Sequence, residues 1–237
     1  METGLAITPQ NNDAFFREVD EELRRDRVER FVRRRGRIVL ALVALGLLVL
    51  AALLYWQHRR EQQAGLEGEQ LTQAMSALGE REEARAAPLL AALARSPHGA
   101  YAALARLAQA DAALEKNDMK AAVAGFKAVA DDEDLPQPFR DLARIRQTTL
   151  EYDGLKPAEV VARMTPLATA GGPWFGSAGE LVAAARLKMG ERAAAAALFA
   201  ALARDRTVPQ TIRSRAGQMA GTLGVAVEPE QAPAAAR

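Results

Sequence analysis

The sequence predicts an all-α protein, with a single transmembrane helix near the N-terminus and an array of α-hairpins after it. Three observations carry this expectation. Alanine fills 52 of the 237 positions while aromatic residues make up 5%, a mix that favours helices packed through small side chains and disfavours a sheet. Residues 38–56, IVLALVALGLLVLAALLYW, run 19 positions without a charge. Beyond them Pro136, Pro173 and Pro209 stand 37 and 36 residues apart, a spacing that belongs to stacked helix pairs.

Composition also removes whole classes of chemistry. There is no cysteine, so disulfides, thiolate zinc sites, iron–sulfur clusters and thiol nucleophiles are excluded. His58 and His98 are too few for the common imidazole metal or triad arrangements. With 31 basic against 30 acidic residues, no basic excess argues for nucleic acid. Motifs for phosphate cradling, a nucleophile elbow or a zincin helix are missing. The expectation is a binding protein, not an enzyme, with no catalytic residue, cofactor, metal or small-molecule substrate.

Residues 1–37 read as a cytoplasmic, arginine-rich juxtamembrane helix. Asp20/Arg24, Glu21/Arg25, Asp26/Arg30 and Glu29/Arg33 are acid-to-arginine pairs at i,i+4, each worth about 0.2–0.5 kcal/mol to a helix. Such an arm can lie solvated near anionic headgroups or dock a partner, and both readings stay open. The span follows at 38–56. A helix of that length covers about 28 Å, close to the hydrocarbon thickness of a bilayer, and Tyr55 and Trp56 close it where an aromatic belt belongs. Because 37 residues precede the run and no small-x-small site follows it, it reads as an uncleaved signal anchor. Residues 18–37 hold eight arginines, among them Arg33, Arg34, Arg35 and Arg37, whereas 57–76 hold only Arg59 and Arg60. That bias keeps the N-terminus in the cytoplasm and sends the rest across.

Residues 57–80 read as a helical linker and 81–224 as the repeat domain. Asn117, Ala122, Phe126 and Pro136 recur 73 positions later as Gly190, Ala195, Phe199 and Pro209. Asn or Gly closes a helix in the left-handed conformation, the alanine lets two helices approach, and the ring fills the gap to the next pair. The expected helices are 83–95, 99–115, 119–131, 138–152, 157–169, 175–189, 191–204 and 208–222, roughly three and a half hairpins. Trp174-Phe175 is either a wedge between hairpins or a binding aromatic. Asp131-Asp-Glu-Asp134 lacks the alternation of a calcium loop and reads as a helix end opening a solvated loop, and His98 reads as a surface turn residue. Residues 225–237 have nothing to bury and should be disordered.

The spacing Gly190, Ala195, Phe199 resembles a tetratricopeptide repeat. Together with the charged N-terminus, the single span, Tyr101-Ala-Ala-Leu-Ala-Arg-Leu-Ala, Asp141-Leu-Ala-Arg-Ile and Lys188-Met-Gly-Glu-Arg-Ala, it resembles the YfgM-like family, ancillary subunits of the bacterial Sec translocon. The opening Phe15-Phe16-Arg-Glu-Val-Asp-Glu-Glu-Leu-Arg-Arg-Asp is similar to α-proteobacterial members. The prolines sit two places later than the repeat's usual closing proline, and alanine replaces most first-helix aromatics. The likeness implies an inner-membrane protein with a periplasmic repeat domain, whose partners are Sec channel subunits, periplasmic chaperones and secreted polypeptides. Tyr101, Arg106, Phe139, Arg146 and Arg186 are the candidate lining of a concave groove for such chains. The rival expectations are an envelope-assembly or cell-division coordinator with the same repeats, and an anchored envelope enzyme.

Overall fold

A computed structural model describes the backbone of residues 10–226 and the side chains of residues 36–226. Within that range every regular element is helical: α1 (Gln10–Gly79), α2 (Glu83–Leu93), α3 (Gly99–Glu115), α4 (Met119–Asp131), α5 (Gln137–Glu151), α6 (Pro157–Met164), α7 (Phe175–Lys188), α8 (Arg192–Arg204) and α9 (Gln210–Thr222). The chain divides into two compact units, Met1–Gln63 and Ala64–Arg237.

In the first unit, every residue from 38 to 56 is exposed. The helix is long and apolar enough to cross a membrane and fits a single transmembrane anchor. Arg37 is exposed. The side chains of Arg33, Arg34 and Arg35 and the i,i+4 pairs of the arm lie outside the described residues. Of the tail expected at 225–237, residues 227–237 also lie outside them, whereas Val225 packs against the α7–α9 core and donates its N–H to the Ala220 carbonyl at 2.9 Å.

The second unit is a stack of four helical hairpins and a closing helix. The first arms are the end of α1, then α3, α5 and α7; the second arms are α2, α4, α6 and α8. Three of the four turns share one device. Arg81, Asn117 and Gly190 take φ of 63°, 59° and 80°. After each, the next N–H reaches back five residues: Glu82 to the Ala77 carbonyl, Asp118 to Ala113 and Glu191 to Arg186, at 2.8, 2.9 and 3.0 Å. This Schellman closure uses carbonyls that the helix end would otherwise leave unpaired.

Counting five and nine residues from Arg81, Asn117 and Gly190, and from Leu155 in the third turn, gives Ala86/Leu90, Ala122/Phe126, Ala195/Phe199 and Val160/Met164, all buried. Small residues bring the arms together. A Cβ on Gly125 would lie 2.9 Å from the Ala110 Cβ, and one on Gly179 would lie 2.9 Å from Leu202 Cδ2. Where valine takes the alanine position, in the third hairpin, α5 and α6 approach less closely than α3 and α4 or α7 and α8 do, and α6 packs mainly on α7.

Two boundaries differ from the sequence expectation. The stretch assigned to a linker, 57–80, contributes to the core: Ala74 and Ala77 are fully buried, and Leu71 and Leu78 pack with α2 and α3. The first hairpin therefore begins inside α1, because nothing interrupts helical sequence between the apolar run and Gly79. The sequence expectation carries α6 to 169, but the helix ends at Met164. Thr165 still has helical backbone (φ −53°, ψ −41°), and the break comes at Pro166, which has no N–H to donate back to the helix. At the C-terminal end, α9 turns Thr211, Ser214, Arg215 and Gln218 to solvent, a polar face that closes the stack.

Candidate functional site

The first arms adjoin one another in order. Helix α3 touches α5, α5 touches α7 and α7 touches α9, whereas the second arms α2, α4, α6 and α8 make no contact with one another. In a stack of hairpins the arms that crowd together form the inner side of the curve, so the inner face belongs to α3, α5, α7 and α9.

Three ion pairs cross that face, each linking residues 35 apart. Arg146 on α5 meets Asp111 on α3 at 3.3 Å. Lys188, the last residue of α7, donates to Asp153 Oδ1 at 3.0 Å. Arg215 on α9 grips Glu180 on α7 through two bonds of 2.8 and 2.7 Å. The two sides of these pairs titrate differently. Burial pushes the Asp111 carboxyl up, more than Arg146 pulls it down, and Glu115 adds to the rise. The Glu180 hydrogen bond raises Arg215 further. Burial likewise raises the Tyr152 phenol, with Lys188 Nζ 4.1 Å from its ring centroid.

The five residues proposed to line a groove are not gathered into one cluster. Arg146 lies on the inner face, 5.9 Å from the Phe126 ring centroid. Arg106 turns away: its Nε donates to the Ala94 carbonyl at 3.1 Å and its NH1 to Asp132 at 2.5 Å. Tyr101 packs with the end of α1, edge-on to His98 at 6.3 Å. Its hydroxyl would lie 3.1 Å from a Cβ on Gly68. Phe139 is half-buried against the α3–α4 core. Arg186 reaches Glu191 at 3.7 Å, and its Nε is buried without a hydrogen-bond partner. Asp111, Asp153, Glu180 and Arg215 were not singled out from the sequence, nor was Lys188 as a pairing residue, although opposite charges 35 apart, close to the 36–37-residue repeat spacing, were there to be seen.

Other singled-out residues find structural partners. Phe175 is buried among α8 and α9 side chains and Trp174 packs beside Val160 and Met164, which makes the pair a wedge between hairpins. Asp132 ends α4, and the Arg106 hydrogen bond and the Asp134 N–H hold its carboxyl below the usual range. His98 differs from the expected plain surface residue. Its Nδ1 lies 2.9 Å from Glu67 Oε2, an oxygen that also accepts from Ser96 Oγ at 2.7 Å.

Two clefts open on the side of the second arms, between α2 and α4 over α3. One of about 220 Å³ is lined by Leu78, Ala86, Leu90 and Lys116, the other of about 440 Å³ by Arg106, Ala110, Gly125 and Val129.

Chemically, the inner face offers paired charges and the exposed edge of Leu104. These features define a helical-hairpin repeat protein. The chain belongs to the tetratricopeptide repeat-like domain family, whose profile matches residues 29–219 and takes in the apolar segment as well as the hairpins. Domains of this class are typically protein-interaction scaffolds. No curated protein and no solved structure gives a match.

Proposed function

We propose that the protein is an inner-membrane scaffold whose repeats lie in the periplasm, beside the Sec channel, and engage secreted polypeptides or their chaperones. The observation that supports this best is the pairing of one exposed apolar helix with tetratricopeptide-like hairpins, in a chain whose arginines favour an N-in orientation. Anchoring such a module at a channel exit raises its effective concentration for emerging chains.

The test has two parts. Protease added to spheroplasts should remove residues beyond about 65 and spare the N-terminal arm; loss of the arm instead would reverse the orientation. A photo-crosslinking amino acid at Leu104 or Arg146, on the inner face, should then capture channel subunits, chaperones or nascent secreted chains, and one at Met119 should not. If inner-face crosslinks reach only division or wall-synthesis proteins, the coordinator reading takes its place.

A further inference from the structure

The apolar run ends in an arrangement that the repeats do not use. Tyr55 and Trp56 are 63% and 56% exposed, and each carries an arginine over its ring. The Arg60 guanidinium carbon lies 3.8 Å from the Trp56 ring centroid, and that of Arg59 lies 5.9 Å from the Tyr55 centroid. The geometry follows from the helix. Cα–Cβ bonds tilt toward the N-terminus, so a side chain at i+4 falls back over residue i. Both cations are therefore laid down toward the apolar run.

Neither has a carboxylate partner among the described residues. In the second unit Arg85, Arg106, Arg146, Arg163, Arg186 and Arg215 do reach a carboxylate. The polar groups around the two arginines satisfy one another instead. Gln57 donates to Glu61 at 3.2 Å, and Gln62 meets His58 at 3.0 Å. A guanidinium whose face rests on a ring still presents its N–H edge, and that edge matches two oxygens of a phosphate.

We propose that Arg59 and Arg60, seated on Tyr55 and Trp56, bind the phosphodiester headgroups of anionic phospholipids in the leaflet at that end of the span. The site rests on reading residues 38–56 as membrane-spanning. At that boundary the rings sit at headgroup depth, and the ring platforms hold the cations there instead of letting them extend into water. The site thus selects lipid by charge.

The test uses the full chain carrying Trp174→Phe, which leaves Trp56 as its one tryptophan, in bilayers of phosphatidylcholine with a minor share of phosphatidylglycerol. Lipids retained after mild detergent extraction are counted by mass spectrometry. Phosphatidylglycerol should be enriched, and Arg59→Gln and Arg60→Gln should each lower that enrichment about fivefold. Arg60→Lys should keep part of it, and only variants that retain Arg60 should show a Trp56 emission shift with phosphatidylglycerol. Unchanged enrichment in the double Gln variant overturns the proposal, and displacement of the lipid by millimolar inorganic phosphate overturns lipid as the occupant. Alkaline carbonate extraction is read first. A chain released by it does not span, and then the anchor reading itself has failed.

Discussion

Arg106 holds Asp132 at 2.5 Å, joining the middle of α3 to the residue that ends α4. Because the same guanidinium donates to the Ala94 carbonyl, one cation serves the carboxyl ends of two second arms, where helix dipoles are negative. Arg106→Ala should destabilise the repeat unit by about 1–2 kcal/mol, a charged hydrogen bond discounted for partial exposure. Chemical unfolding of the micelle-solubilised chain, followed by helical circular dichroism, measures it. An unchanged midpoint would show the clamp to be idle.

Asp132 also sets a pH dependence. Its folded carboxyl lies below the ordinary value of 3.8, so its contribution is full above that value and is lost as pH falls through the folded one. Asp132→Asn should unfold more easily than the wild type at neutral pH. The two curves should converge below about pH 3.8. A gap that persists in acid would point to packing instead of charge.

Asp111 should behave with the opposite sign. Its folded carboxyl is raised above 3.8, so the ionised form costs stability at neutral pH, and that cost disappears as pH falls through the folded value. Asp111→Asn should therefore be as stable as the wild type at neutral pH or slightly more so, despite losing the pair with Arg146. A loss above about 1 kcal/mol in the same unfolding measurement would mean that the ion pair outweighs burial.

Arg81 performs with a side chain what Gly190 performs without one. Left-handed backbone costs a residue with a Cβ about 1 kcal/mol or more, so Arg81→Gly should stabilise the unit by up to about 1 kcal/mol, and Gly190→Ala should destabilise it by a similar amount. Thermal midpoints of the pair, moving in opposite directions, check both.

Close approach of arms can be tested at two glycines. Gly125→Ala drives a methyl to 2.9 Å from Ala110 Cβ and should cost about 1–3 kcal/mol. At Gly217 the nearest atom, Ala203 Cβ, is 3.8 Å away, so Gly217→Ala should be neutral or stabilising by about 0.4–1 kcal/mol. Equal effects would contradict the packing described for α3 and α4.

Most helices were legible because their punctuation is chemical. Asn117 and Gly190 close turns, and Pro136 and Pro209 stand at the N-caps of α5 and α9. The first hairpin escaped notice because its turn residue is an arginine and its first arm continues out of the apolar run without a break. Pro166 carried the signal that shortens α6, but it stands outside the 36-residue proline series. The inner face was harder to read. One sequence indicates where helices begin and end more readily than which way an arginine turns. Arg106 and Arg146 look alike in the sequence, yet one braces two helix ends and the other faces the curve.

The third hairpin leaves the stack with one compliant joint. Elsewhere alanine and glycine lock neighbouring backbones at short range, but between α5 and α6 larger side chains keep the arms apart, bridged by Arg163 and Glu151 at 2.8 Å. Curvature of the array is set locally, pair by pair, so bending should concentrate at this joint. Flexing there would shift α5 against α7 and would be resisted by the buried cluster that joins them, Ile145 with Val160, Met164, Ala178 and Val182. If bending does concentrate there, the inner face would work as a calliper with one adjustable hinge, its opening set by the joint between α5 and α6.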